Sequence, residues 1–92
     1  MDYEVEVAMV IGKVGKNISE ENAQDHVFGY CVVNDISERS WQKERGGQWI
    51  KGKSIAGPCG PYLVTKDEIK DVNNLNLSLD VNGERRQTGN TE

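Results

Sequence analysis

Phenylalanine and histidine occur once each in this chain, and cysteine and proline twice each. No apolar run approaches the roughly 18 residues of a membrane-spanning helix, so nothing read here crosses a membrane. Cys31 and Cys59 lie too far apart in sequence for a metal knuckle or a redox pair, and Cys31, inside an apolar run, reads as a buried thiol. The opening residues are acidic and polar, unlike a secretory signal. Such a chain is expected in a reducing compartment, the cytoplasm first and mitochondria second. Basic residues are few and scattered, and the net charge is −4, which excludes the clustered lysines and arginines of a nucleic-acid partner. Internal repeats and low-complexity segments are absent as well.

The shortage of large apolar side chains bears on stability. Hydrophobic residues make up 36% of 92, and ten are glycine. A chain of this size buries only about 60–65% of its unfolded surface. One small domain is the most it can build, with a thin core. It is therefore expected to associate, with a second copy or with further segments of chain.

What is present is strand patterning. Residues 3–11 read as a first strand, in which side chains alternate faces. Glu4 and Glu6 thus share a face, about 7 Å apart, and repel unless water or a cation intervenes. A second apolar strand, 28–35, ends on Asp35, at a loop, where sites tend to sit. Three carboxylates at strand edges suit a hard divalent cation such as Mg²⁺ or Mn²⁺. Glu-x-Glu on a strand also describes an ordinary solvated sheet face.

Between these strands, Ser19 is a good N-cap with Glu20 and Glu21 behind it, so a short helix is expected near 20–27. His26 belongs on its surface. Ser37 to Lys43 suit one helical turn, which sets Arg39 and Gln42 on one side. Trp41 and Trp49 read as packing residues. Lys43, Arg45, Lys51 and Lys53 form the densest basic group. Tyr62-Leu63-Val64 is a short strand, and Asp67-Glu68-Ile69 one helical turn. Residues 75–81 alternate strictly, and Asn82-Gly83 then turns them into a polar return strand over 84–88, an edge or ligand-facing strand. The fold class expected is α+β, mainly β.

In order along the chain stand Asp2-Tyr3-Glu4-Val5-Glu6-Val7, Val10-Ile11-Gly12-Lys13, Asn34-Asp35-Ile36-Ser37-Glu38-Arg39-Ser40-Trp41-Gln42, Gly47-Gln48-Trp49, Gly52-Lys53-Ser54 and Gly60-Pro61-Tyr62-Leu63-Val64-Thr65, followed by Val81-Asn82-Gly83-Glu84 and Gln87-Thr88-Gly89-Asn90-Thr91. This ordered set resembles the central segment of the fumarylacetoacetate hydrolase family over nearly all of the chain. The resemblance implies a partial mixed β fold and metal-dependent chemistry on oxo and diketo acids: C–C hydrolysis, decarboxylation or tautomerisation. It makes Glu4, Glu6 and Asp35 the metal ligands, with Mg²⁺ (or Mn²⁺ or Ca²⁺) as cofactor. Arg39, Gln42 and Lys53 become substrate-holding residues, with Lys53 also catalytic through an enolate.

Two departures lie near the implied site: Ser40 stands where the family commonly has an acidic residue, and the loop after Lys53-Ser54 is about two residues short. A third is larger. Family enzymes carry a catalytic His–Glu pair upstream and closing strands downstream, so 1–92 reads as a single, incomplete catalytic-domain segment. The alternative is a non-catalytic remnant that keeps the metal-binding scaffold and acts through assembly. Alone, the chain is expected to turn over little substrate.

Overall fold

The computed structural model describes residues 1–44, 46–47, 52–53 and 57–92. Trp49, the basic residues Arg45 and Lys51, and the shortened loop at Ser54 to Ala56 lie outside them.

The expected architecture is present: strands dominate, with one short α-helix. Strand β1, Val5–Ile11, pairs antiparallel with β2, Val27–Asn34, and β2 pairs with the two-residue β3, Val64–Thr65. A separate hairpin joins β4, Asn76–Val81, to β5, Glu84–Asn90. The helix α1, Glu20–Ala23, covers only half of the expected span, and a 3₁₀ turn, Gln24–His26, completes it. Ser19 caps in backbone conformation but makes no side-chain hydrogen bond. No residue of α1 is buried, so no packing lengthens it, and Val27, the last residue of the expected span, instead opens β2 as one of its buried residues. Among the described residues no helix is long and apolar enough to cross a membrane.

The hairpin forms where Asn82-Gly83 predicts it. Both residues have positive φ, 51° and 83°, which a two-residue turn between right-twisted strands requires and which glycine tolerates without cost. A bulge follows on β5. Val81 pairs with Glu84 and Asp80 with Arg85, but Leu79 pairs with Gln87 rather than Arg86. That extra residue re-aims the strand. Half-buried Gln87 thereby stands opposite half-buried Leu79, and its Oε1 accepts the Val5 N–H at 2.9 Å. The polar return strand is thus tied to the start of β1.

Burial is sparse, as the composition implies. Among the described residues only Val27 and Tyr30 are buried hydrophobics, while Met9, Ile11, Phe28, Val32, Tyr62 and Leu63 are exposed. Cys31 is half-exposed rather than buried, because the sheet lies open around it, and Trp41 is exposed too. Val7, Tyr30, Val32, Pro61, Tyr62 and Leu75 line an apolar concavity of about 210 Å³. Water-facing apolar surface of this kind favours association. Sedimentation of the purified chain should therefore show a weight-average mass that rises with concentration; a stable monomer at every concentration would contradict this.

Candidate metal centre

The β1–β2 register builds the site. Val5 lies opposite Asn34 and Glu6 opposite Val33. Beyond the strand ends, Asp2 and Ser37 exchange backbone hydrogen bonds of 2.7 and 2.9 Å in that same register. Glu4 therefore stands opposite Asp35, whose N–H donates to the Glu4 carbonyl at 2.9 Å. Because directly opposed residues share a face, Asp2, Glu4 and Glu6 project to the same side as Ser37 and Asp35. Asn34 locks the register by accepting the Glu4 N–H on its side-chain oxygen at 3.0 Å.

Glu4, Glu6 and Asp35 each offer a carboxylate oxygen within 4.8 Å of the others. Two oxygens on one ion can be separated by at most twice a bond length, about 4.0–5.2 Å for hard cations. The spacing falls within that range for Ca²⁺ and needs a contraction of roughly half an ångström for Mg²⁺. Four carboxylates, counting Asp2, against the two cations Arg39 and Lys53 leave a formal charge of −2. Donor type, spacing and charge all fit a divalent cation.

Two basic side chains hold Glu4. Arg39 Nη2 donates to Glu4 Oε1, its Nε to Asp2 Oδ2 at 3.0 Å, and its Nη1 to Gln42 Oε1 at 2.6 Å. Lys53 Nζ donates to Glu4 Oε2 at 2.5 Å and Ser37 Oγ at 2.6 Å, and lies 2.9 Å from Asp35 Oδ2. Arg39 and Gln42 come from one turn, as expected. Arg39 opens that turn, Gln42 lies in its π-helical part over Ser40–Glu44, and Gln42 N–H bonds the Glu38 carbonyl at 3.1 Å. Gln42 is 1% exposed, so here it faces Arg39 rather than solvent. Lys53 follows buried Gly52, whose carbonyl accepts the Glu38 N–H at 2.8 Å. A Cβ on Gly52 would lie 3.0 Å from that of Gln42 and 3.3 Å from the Glu38 carbonyl, so glycine allows this close approach.

These contacts shift ionisation. Hydrogen bonds from Lys53 first and Arg39 second lower the Glu4 pKa below its ordinary value. Glu4 and then Asp35 raise that of Lys53, and Glu4 and then Asp2 raise that of Arg39. Lone pairs remain on Glu4 for a metal, since a carboxylate has about four acceptor positions.

His26 lies elsewhere. Its half-buried ring contacts the Lys13 carbonyl through Nδ1 at 3.1 Å, and its own carbonyl accepts the Gly12 N–H. Gly12 is eight residues along the chain from Glu4, roughly 26 Å at strand rise. Asp2 and Ser37, which the residue-by-residue reading left without roles, are both parts of the site. Asp2 carried a usable signal, since it precedes Glu4 by two residues and so shares its face. Ser37 carried none beyond its place after Asp35.

With this geometry in hand, the likeness to known proteins is informative. The profile described as fumarylacetoacetate (FAA) hydrolase C-terminal matches residues 1–92. The chain belongs to the fumarylacetoacetate hydrolase family. A Burkholderia ambifaria protein whose name proposes a hydrolase, without a substrate, is 58% identical over 98% of the chain and 33% of its own length. Fumarylacetoacetate hydrolase from psychrophilic Exiguobacterium antarcticum superposes with a TM-score of 0.83 at 43% identity, over 96% of this chain and 32% of that one. The 2-hydroxyhepta-2,4-diene-1,7-dioate isomerase from Mycobacterium marinum does so with a TM-score of 0.84 at 38% identity, over 97% and 34%. The chain thus spans about a third of the length of these family members.

The direction of the Glu4 shift sets a pH dependence. A carboxylate with a lowered folded-state pKa contributes stability above its ordinary value of 4.5 and loses it as pH falls through the lower folded value. Thermal midpoints of the wild-type chain and Glu4→Gln should therefore differ at pH 7, the wild type being higher, and converge as pH falls below about 4. An unchanged gap at pH 3 would contradict the assignment.

Proposed function

We propose that this chain carries the divalent-metal and substrate-holding part of an enzyme acting on 2-oxo or diketo acids, by C–C hydrolysis, decarboxylation or tautomerisation. The single observation that carries the proposal is the convergence of Glu4, Glu6 and Asp35 carboxylates within 4.8 Å, beside the cations Arg39 and Lys53. Names of two related structures, a fumarylacetoacetate hydrolase and a dienedioate isomerase, support this substrate class.

In this reading Glu4, Glu6 and Asp35 hold Mg²⁺, with Mn²⁺ or Ca²⁺ as substitutes. Such an ion, when bound, supplies Lewis-acid polarisation of a chelated carbonyl. The remaining work belongs to the protein. Lys53 is the catalytic residue, its ammonium stabilising negative charge that develops on an enolate oxygen. Its raised pKa keeps it cationic throughout the neutral range. Arg39 retains N–H groups beyond those spent on Asp2, Glu4 and Gln42, and these can orient a substrate carboxylate. Gln42 acts from beneath by holding Arg39. Glu6 makes no ion pair among the described residues and is the most exposed of the three candidate ligands.

A base to activate water or move a proton is still required. His26 is too distant to serve. The family members are about three times as long, and in this reading the base comes from segments that they carry beyond the part matched here. A second copy or those segments would also cover the open apolar face.

Titration calorimetry tests the metal centre. Mn²⁺ or Mg²⁺ should bind the wild-type chain, and Glu6→Gln should weaken binding at least tenfold without lowering the metal-free thermal midpoint, since Glu6 lies outside the Arg39–Lys53 clamp. Glu4→Ala should abolish binding. Equal affinity in all three proteins would refute the ligand set. The chain by itself, loaded with Mg²⁺, should hydrolyse acylpyruvates far below an ordinary enzyme rate of about 1 s⁻¹, because the described residues place no histidine beside the three carboxylates to act as base, an effect worth about 10²–10⁴ in rate. A faster rate that Glu6→Ala abolished would overturn that expectation.

A further inference from the structure

We infer that Ser37 is the residue that positions Lys53 for substrate, an inference that rests on the metal-centre reading above. Ser37 is 0% exposed, although it carries a hydroxyl. Its two backbone hydrogen bonds to Asp2 fix it rigidly in the extended β1–β2 ladder. The hydroxyl donates to the Asp35 carbonyl at 3.2 Å and accepts from Lys53 Nζ at 2.6 Å. Its proton is thus turned away from Lys53 and its lone pairs face the ammonium.

Charge separates Ser37 from the other partners of Lys53. An ammonium has three donors, and here they meet Glu4, Asp35 and Ser37. Glu4 and Asp35 are also candidate metal ligands, and an ammonium and a dication sharing their oxygens repel each other. The neutral hydroxyl carries no such conflict. It can hold Nζ at the rim of the site while the carboxylates serve a cation, without neutralising the charge that an enolate oxygen needs. A lysine whose ammonium is pinned loses less rotamer freedom on binding than a free one. Ser37 therefore acts through Lys53 and need not touch substrate.

Oxalate with Mn²⁺ is a suitable probe, because it is a planar bidentate chelator that resembles the enolate of a 2-oxo acid. Calorimetry on the 92-residue chain would measure Mn²⁺ affinity, then oxalate affinity at saturating Mn²⁺, for wild type, Ser37→Cys, Lys53→Met and the double variant. Cysteine preserves size and removes a good acceptor. The expected result is an approximately tenfold loss of oxalate affinity in Ser37→Cys, with Mn²⁺ affinity and thermal midpoint close to wild type. Lys53→Met should lose at least as much, and adding Ser37→Cys to it should change nothing further. Equal losses in both backgrounds would mean a merely structural role and overturn the inference. So would unchanged oxalate binding in Ser37→Cys, or, if that variant unfolds, oxalate binding by Lys53→Met as tight as wild type. Absence of Mn²⁺ binding to wild type would overturn the metal-centre reading and this inference together, whereas Mn²⁺ and oxalate binding without coupling between Ser37 and Lys53 overturns this inference alone.

Discussion

The Glu4 carboxylate, held on one oxygen by Arg39 and on the other by Lys53, is the contact around which the site is organised. Remove it, and Asp2, Glu6 and Asp35 remain as like charges on one sheet face. The three residues of the clamp are about a quarter to a third exposed, so water screens their attraction and the pairs are worth modest stability. Their value is geometric. Each cation is gripped at several points: Arg39 by Asp2, Glu4 and Gln42, and Lys53 by Glu4, Asp35 and Ser37. Such multiple attachment sets where the remaining lone pairs and N–H groups point.

A single property of strands generates both sides of this molecule. Alternation along β1 sends Glu4 and Glu6 to one face and Val5, Val7 and Met9 to the other. The first face closes on itself through ion pairs. The second has little to close against, since the hairpin covers it only in part, through Leu75, Leu79 and the Gln87 contact to the Val5 N–H. The bulge at Arg86 is what brings Gln87 inward, so a local irregularity at the far end of the chain fixes the entry of β1. A half-covered sheet is consistent with a chain that spans a third of its relatives' length.

Much of this was legible in the residues. Apolar runs mark β1 and β2, strict alternation marks β4, Asn82-Gly83 marks the hairpin, and the spacing of Glu4 and Glu6 puts them on one face, because these depend only on backbone geometry and nearest neighbours. The helix was over-extended, since its apolar spacing at Ala23 and Val27 looks the same whether Val27 ends a helix or begins a strand. Tertiary structure alone decided the rest. Pairing register set Asp35 opposite Glu4 and Ser37 opposite Asp2, the bulge chose Gln87 over Arg86, and the returning chain delivered Lys53 between Glu4 and Ser37. Those contacts join residues 16 to 82 positions apart, and their geometry comes from hydrogen-bond ladders and chain closure, for which no local pattern of side chains carries the information.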